Sequence, residues 1–370
     1  MKKFGLVFAA LLLSIALIGV SPVGAQEGSE SSAETAEGEA VAPLAGCEDY
    51  VVQADDWLSK IAEKFLGDVL AYPAIAEATN AAAAKGGPYD PVDDPNLIEI
   101  GQRLCIPTAP EETSGEAAME TPPAKAPLET GMAPVNDIQM YYAIYGEGEP
   151  LILLHGGLGN SDYWENQIAP FSEKYKVIAV DSRGHGRSTV SEQPIDYSLM
   201  ASDVLTLMDY LGLEKANLVG WSDGGIIGLD LAINHPERLN KVVAYGANYN
   251  TSGVRADIGE NEKFNAYIEK TVEDYQKLSP DPSRWEAFLE NISTMWATEP
   301  DFTPEQLGRI TVPLLVLDGE EEEAIITEHT VEMAGLIPTA ELILIPGTGH
   351  FAMWEKPEEF NQIILDYLAR

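Results

Sequence analysis

Six residues, Gly220-Trp221-Ser222-Asp223-Gly224-Gly225, set a serine between glycines on a tight turn. The apolar run Asn217-Leu218-Val219 leads in, and a helix-compatible run from Ile226 to Ala232 leads out. A strand, a turn too sharp for flanking side chains and a helix together lift the serine hydroxyl clear of a sheet, toward the space above the strand ends. The helix N-terminus adds positive potential beside that oxygen. A serine hydroxyl attacks once a base takes its proton. Of five histidines, His350 is placed for this. Its segment, Gly347-Thr348-Gly349-His350-Phe351, follows the last apolar strand pattern and precedes the final helix, so the ring can swing over the strand ends. His155 and His185 lie in glycine-containing loops and read as structural. His235, before Pro236, reads as a surface or capping residue, and His329 as a helix-surface residue.

An imidazole base needs a carboxylate to hold its tautomer and stabilise the imidazolium. The chain order Ser–acid–His places it in Asp318-Gly319-Glu320-Glu321-Glu322-Glu323, after the apolar run Pro313 to Leu317. Successive carboxylates repel, so at least one requires a partner. Glu322, third after Gly319, is the choice, with Asp318, Glu321 and Glu323 as competitors. An acyl intermediate also needs hydrogen-bond donors for its oxyanion. His155-Gly156-Gly157-Leu158-Gly159 follows the strand pattern Leu151 to Leu154, so the N–H groups of Gly157 and Asp223 are the candidate donors. A phosphate-binding loop is disfavoured, because no Gly-Lys-Ser/Thr follows. Chemistry of this kind calls for no metal and no cofactor.

The elements that must position these groups alternate in type. Strand patterns at Ile138–Tyr145, Leu151–Leu154, Val177–Val180, Ala216–Gly220, Lys241–Tyr245, Pro313–Leu317 and Glu341–Ile345 are mostly short continuous apolar runs, as parallel strands buried on both faces require. Helical patterns between them run Asp162–Tyr175, Leu199–Leu211, Gly225–Asn234, Glu328–Leu336 and Pro357–Leu368. This predicts an α/β fold over residues 135–370, with a doubly wound, mostly parallel sheet and Ser222 at the C-terminal end of a central strand. Two further helical patterns, Asn261–Lys277 and Ser283–Thr294, interrupt the alternation within about 251–303.

These pieces resemble the α/β-hydrolase superfamily: "LILLHGGLGN", "VIAVDSRGHGRS", "NLVGWSDGG", "PLLVLDGEEEE" and "IPGTGHFAMWEKP" come in the family's order. The stretch from Gly220 to Asn250 looks like its biphenyl-hydrolase-like and valacyclovir-hydrolase branch. The resemblance implies an eight-stranded type of sheet and a helical cap from the 251–303 insertion. It also implies hydrolysis of an ester-like small molecule by Ser222, Glu322 and His350. The family acid is commonly Asp, so Glu322 implies a small shift of His350. Trp285 and Trp296, with Phe288 and Met295, are candidates to line an apolar pocket in the cap. The Asp223 carboxylate, at the cleft rim, is a candidate partner for a substrate ammonium. The first alternative is a non-catalytic wall-binding protein with a decayed hydrolase domain, which the intact Ser222 and His350 argue against and the Glu-rich acid loop leaves open; the second is a cofactor-free haloperoxidase or a C–C bond hydrolase on the same scaffold.

The first third of the chain reads differently. Lys2 and Lys3, an apolar run from Phe4 to about Val20 and Val23-Gly24-Ala25 form an export signal, cleaved after Ala25, with an uncleaved anchor as the alternative. Residues 26–46 are acidic and small and cannot bury a core. They end in Leu44-Ala45-Gly46-Cys47, a weak match to a lipid-attachment box set too far from the apolar run. Residues 47–107 read as β-α-α-β, with Tyr50–Gln53 a strand, Asp55-Asp56 capping a helix from Trp57 to Phe65, a second helix from Ala71 to Thr79 and a last strand before Pro107. Cys47 and Cys105, the two cysteines of the chain, flank this unit, and in an exported protein they pair most simply as a disulfide. "YVVQADDWLSKIAEKFLGDVLAYPAIAEATN" with "DPNLIEIGQRLCIP" resembles the LysM domain, which implies binding of a peptidoglycan- or chitin-type glycan. Asp55-Asp56-Trp57 replaces the usual Gly-Asp-Thr, and Ala81 to Asp94 lengthens a loop. Residues 108–134 read as a Pro/Ala/Glu/Thr-rich linker. The net charge of −38, from 60 acidic against 22 basic residues, argues against nucleic-acid binding and for a well-hydrated surface. The expected location is secreted or at the cell envelope.

Overall fold

The computed structural model describes residues 47–53, 56–66, 72–92, 98–107, 125–191 and 193–370. The export signal, the acidic stretch and most of the expected linker fall outside the described residues. The chain divides into two compact units, one before and one after residue 114.

The first unit consists of β1 (Cys47–Val51), α1 (Leu58–Leu66), α2 (Tyr72–Ala84) and β2 (Arg103–Pro107), with the two strands antiparallel. Along α1, Leu58, Ile61 and Ala62 bury one stripe against Ile75, Leu104 and Ile106, the spacing that puts apolar side chains on one helical face. Buried Thr79 binds α2 to β2 by accepting the Cys105 N–H at 3.0 Å. Cys47 and Cys105 form a disulfide across the strand pair. Two details add to the sequence reading. Asp55 lies outside the described residues, and the Asp56 carboxylate accepts the Tyr50 hydroxyl at 2.6 Å and the Gln53 N–H at 2.8 Å, so it closes the turn after β1. The expected loop insertion starts late, because an alanine-rich stretch of high helix propensity carries α2 to Ala84. Buried Tyr89, beyond it, packs back and donates to Asp49 at 2.6 Å.

The second unit begins with β3 (Glu129–Val135), β4 (Ile138–Tyr145), β5 (Glu149–Leu154), α3 (Glu165–Phe171), β6 (Tyr175–Val180) and α4 (Tyr197–Tyr210). It continues with β7 (Ala216–Trp221), α5 (Asp223–Asn234) and β8 (Leu239–Tyr245). An insert follows, with α6 (Glu262–Leu278), α7 (Trp285–Thr298) and the short α8 (Pro304–Leu307). The unit closes with β9 (Leu314–Gly319), α9 (Thr327–Leu336), β10 (Ala340–Ile345), α10 (Ala352–Glu355) and α11 (Pro357–Ala369). Eight strands make one sheet in the order β10-β9-β8-β7-β5-β6-β4-β3, parallel from β10 to β6 and antiparallel at β4 and β3. Every residue of β7 and β9 is buried, which explains their unbroken apolar character. Each fully buried Leu, Val or Ile there contributes roughly 1.5–3 kcal/mol relative to exposure.

Strand β3 corrects the linker boundary. Its residues fall in the Pro- and Thr-containing stretch assigned to a linker, yet Ala133 and Val135 are buried while Thr130, Met132 and Pro134 face out. Pro134 is tolerated because β3 is an edge strand, where a missing N–H costs no ladder bond. From β5 the chain steps to β6 on one side and returns to β7 on the other. The loops leaving β5 and β7 therefore border one crevice at the strand C-termini, where open α/β sheets bind ligands.

Replacing Cys47 and Cys105 together by alanine should destabilise the first unit by about 4 kcal/mol, the loop-closure value for a bridge spanning tens of residues. Urea unfolding followed by an unfolding-sensitive probe in that unit measures it.

Candidate active site

The turn after β7 is held in an uncommon conformation. Ser222 has φ 54° and ψ −118°, in the left-handed half of backbone space, at a cost of order 1–3 kcal/mol. The surrounding glycines are there because nothing larger fits. A methyl on Gly220 would lie 2.1 Å from the Gly224 carbonyl oxygen, and one on Gly224 2.2 Å from the Leu154 carbonyl oxygen of β5. Ser222 stays half-buried while its neighbours from Gly220 to Gly225 are buried. The N–H of Asp223, first residue of α5, has no acceptor inside its own helix, as at every helix N-terminus.

His350 is fixed from behind by two strands. Trp221 Nε1–H at the end of β7 donates to the His350 carbonyl at 3.0 Å. Tyr245 at the end of β8 donates to the Gly349 carbonyl at 2.9 Å and accepts the Ala352 N–H at 2.7 Å. The imidazole packs over Gly246, where a methyl would lie 2.9 Å from Cε1. Its Nδ1 meets Glu322 Oε1 at 2.6 Å, and both side chains are buried. Burial is the main influence on His350 and holds its pKa below the ordinary 6.5.

The four competing carboxylates separate by position. Glu322 is the one that reaches the ring, the extra methylene being taken up by bonds from the Ala324 and Ile325 N–H groups, both 2.9 Å from Oε1. Burial raises its pKa to about 8, against the pull of those bonds. Asp318 is fully buried beside it, bonded to the Gly319 N–H and the Thr330 hydroxyl, and burial followed by the neighbouring Glu322 charge holds it well above the carboxylate range. Glu323 accepts the His350 main-chain N–H at 2.6 Å, and Glu321 is exposed.

The loop after β5 passes directly beside the serine. A methyl on Gly156 would lie 3.2 Å from Ser222 Cβ. Gly157 is enclosed: a methyl there would meet the Trp296 ring at 2.4 Å and Asp223 Oδ2 at 2.6 Å. Its carbonyl accepts the Tyr267 hydroxyl from α6 at 2.5 Å. His155 ties this loop to the next, with Nδ1–H donating to Gly156 O at 2.7 Å and Nε2 accepting the Ser182 N–H at 3.0 Å. His185 packs edge-on against Phe288 of α7, with Nδ1–H on the Arg183 carbonyl.

Three side-chain expectations are corrected. The Asp223 carboxylate does not stand at a rim to meet a substrate ammonium. It is 4% exposed and turned inward by Tyr197 at 2.8 Å and by Trp296 Nε1, 3.0 Å from each oxygen. Burial raises its pKa to about 6, against those bonds. Trp285 does not line a pocket at the serine; it packs inside the insert on Tyr275 and Phe288. Trp296, by contrast, lies against Gly157 and Asp223. His329 is not on a helix surface: it is buried, stacked on Tyr249 at 4.2 Å, and accepts the Tyr249 N–H. Tyr197, Tyr267 and Lys263 escaped the sequence reading, because no local pattern marks them. Among the described residues no group of three or more His, Cys, Asp or Glu is arranged to hold a metal ion.

Comparison with known proteins agrees with this geometry. Residues 149–279 match the family model described as alpha/beta hydrolase fold. The chain is 32% identical over 267 residues to a 2-hydroxy-6-oxo-6-phenylhexa-2,4-dienoate hydrolase of Comamonas testosteroni, covering 64% of this chain and 93% of that protein. It is 29% identical over 261 residues to 3-oxoadipate enol-lactonase 2 of Acinetobacter baylyi, covering 63% and 94%. Carboxylesterase CesB of Bacillus subtilis is similar in structure, with a TM-score of 0.53 at 26% identity over 65% of this chain and 91% of that one. The chain belongs to the α/β-hydrolase family.

Gly224→Ala drives a methyl into the β5 backbone, where no side chain can give way. It is expected to destabilise the fold by roughly 3 kcal/mol or more, measured by thermal or denaturant unfolding against Gly335→Ala, where the space is open.

Proposed function

We propose that this chain is a serine hydrolase that cleaves an ester-type bond of a small molecule, with Ser222 as nucleophile, His350 as base and Glu322 as its orienting carboxylate. The observation that carries the reading is the 2.6 Å bond between His350 and Glu322, set behind a serine held at positive φ on the turn after β7. With Nδ1–H committed to Glu322, Nε2 is the basic nitrogen that takes the Ser222 proton as its oxygen attacks the carbonyl carbon. The oxyanion is received by the main-chain N–H groups of Gly157 and Asp223. His350 then gives its proton to the leaving alkoxide, and a water molecule, deprotonated by the same ring, releases the acid from the acyl-enzyme.

The relatives' names put C–C hydrolysis of a dienoate and lactone opening beside this reading. Charge favours an uncharged ester. Asp223, Asp318, Glu322, Glu323 and Glu355 all act electrostatically on the serine turn or the His350 loop. The cations shown to act on this cluster are already paired: Lys263 on Glu323 and Glu355, and Arg255, which acts on Glu322 and Glu323, on Asp257. A carboxylate-bearing substrate would meet repulsion without a counter-charge. The charged and apolar N-terminus and the Cys47–Cys105 bridge support export, and the LysM-like sequence of the first unit supports a glycan-binding module that keeps the hydrolase at a cell wall. Co-sedimentation with insoluble peptidoglycan or chitin tests that placement, and recovery wholly in the supernatant would remove it.

Wild-type protein is expected to react with a fluorophosphonate, Ser222→Ala not at all, and Glu322→Gln more slowly by at least about 100-fold. Absence of labelling in the wild type would leave a binding protein without catalysis. A neutral ester should be hydrolysed at least about 10-fold faster in kcat/KM than the same ester carrying a free carboxylate. The base must be neutral to act, so activity falls as pH drops through the pKa of His350. The acid limb is therefore expected below pH 6.5, read from kcat/KM against pH.

A further inference from the structure

Lys263, in the first turn of α6, reaches out of the insert to the base. Its Nζ lies 2.8 Å from Glu323 Oε1 and 2.9 Å from Glu355 Oε1. The second oxygen of each carboxylate accepts a main-chain N–H of the His350 loop: Glu323 Oε2 from His350 at 2.6 Å, and Glu355 Oε2 from Gly349 at 2.8 Å. One cation, two carboxylates and two successive N–H groups thus form a continuous bridge from the insert to the backbone of the base. It is well shielded, with side-chain exposures of 13% for Lys263, 8% for Glu323 and 13% for Glu355. Three charges taken out of water are a costly way to gain stability, since apolar packing of similar volume commonly does as well. What they supply here is direction, because charge-assisted bonds fix where the residue 349–350 backbone sits.

We propose that Lys263 is a positioning residue for His350, acting through Glu323 and Glu355, so that the base is in register with Ser222 only while the insert is seated on the His350 loop. The inference rests on the reading of His350 as the base. Two other insert contacts hold the remaining parts of the site: Tyr267 the carbonyl of Gly157, and Trp296 the carboxylate of Asp223. Lys263 is the contact that also carries charge. His350 is faced by Glu322, Asp318 and Glu323 from the segment after β9, by Asp223 from α5, by Glu355 from α10 and by Tyr245 from β8. Without the Lys263 charge, two of those carboxylates act on the imidazole uncompensated and favour its protonation.

The test uses the full chain and compares Lys263→Met, Lys263→Arg and Glu355→Gln. Two quantities are read: the fluorophosphonate labelling rate across pH, and the titration of the His350 ring followed by NMR in histidine-labelled protein. Lys263→Met is expected to slow labelling at pH 7 by about 10-fold or more and to move the His350 titration and the acid limb up by at least about half a pH unit. Lys263→Arg should restore most of the rate, and Glu355→Gln should move the titration the opposite way, to lower pH. Folded Lys263→Met and Glu355→Gln proteins with wild-type titrations and rates would overturn the proposal. Should Lys263→Met fail to fold, the direction of the Glu355→Gln shift decides it, and an unmoved titration overturns it. The two readings also separate. A ring titration that responds to these variants in a protein that never labels leaves the link standing and removes the serine chemistry. Labelling lost in Ser222→Ala but unchanged in Lys263→Met and Glu355→Gln removes the link alone.

Discussion

The site is referred throughout to one backbone constraint. Ser222 sits at φ 54° because β7 runs straight into α5 with no room for a longer turn, and the approach of Gly220 to Gly224 and of Gly224 to Leu154 leaves no volume for a side chain. Strain of this kind persists only when its surroundings over-determine it. Here they are the wholly buried strand β7, its neighbours β5 and β8, and the helix whose N-terminus the turn opens. The same close approach brings the β5 loop alongside the serine. Nucleophile and neighbouring N–H groups are therefore placed by one packing arrangement rather than by two independent loops.

The base is placed by different means. Its loop has no comparable backbone strain, and its position comes from polar contacts: Trp221 and Tyr245 beneath, Glu322 at the ring, and Glu323 and Glu355 at the main chain. Packed apolar surfaces tolerate small slides, whereas charge-assisted bonds define direction. A rigid nucleophile with a tethered base is consistent with a chain whose insert touches the three functional parts separately. The acidic surroundings follow from the same construction, since every carboxylate recruited to hold the loop adds to the field around the ring.

Much of this was legible in the sequence where the signal is local. The glycine-flanked serine between an apolar run and a helix is a short-range pattern, and so is the buried-strand character of β5, β7 and β9. His350 could be picked out from its place after the last strand. Glu322 stood among four near-equivalent carboxylates, and only the path of the chain between Gly319 and Ile325 separates them. Other features were hidden for definable reasons. Strand β3 has the composition of a linker and becomes a strand by pairing with β4, a tertiary effect. Asp223 was read as facing outward because its partners, Tyr197 and Trp296, lie 26 and 73 residues away. Lys263 and Glu355 are separated by 92 residues, and no spacing rule joins them.

Tryptophan gathers unusually at this centre. The indole N–H groups of Trp221, Trp296 and Trp354 are bonded to the His350 carbonyl, the Asp223 carboxylate and the Tyr163 carbonyl, so three of the six tryptophans border the site. Trp221 and Trp354 also pack edge to face at 5.4 Å. Indole emission responds to the polarity and hydrogen bonding around the ring. The protein thus carries its own optical reporter: entry of a ligand, or lifting of α7 from Gly157, changes the surroundings of these rings and can be followed in unlabelled protein in real time.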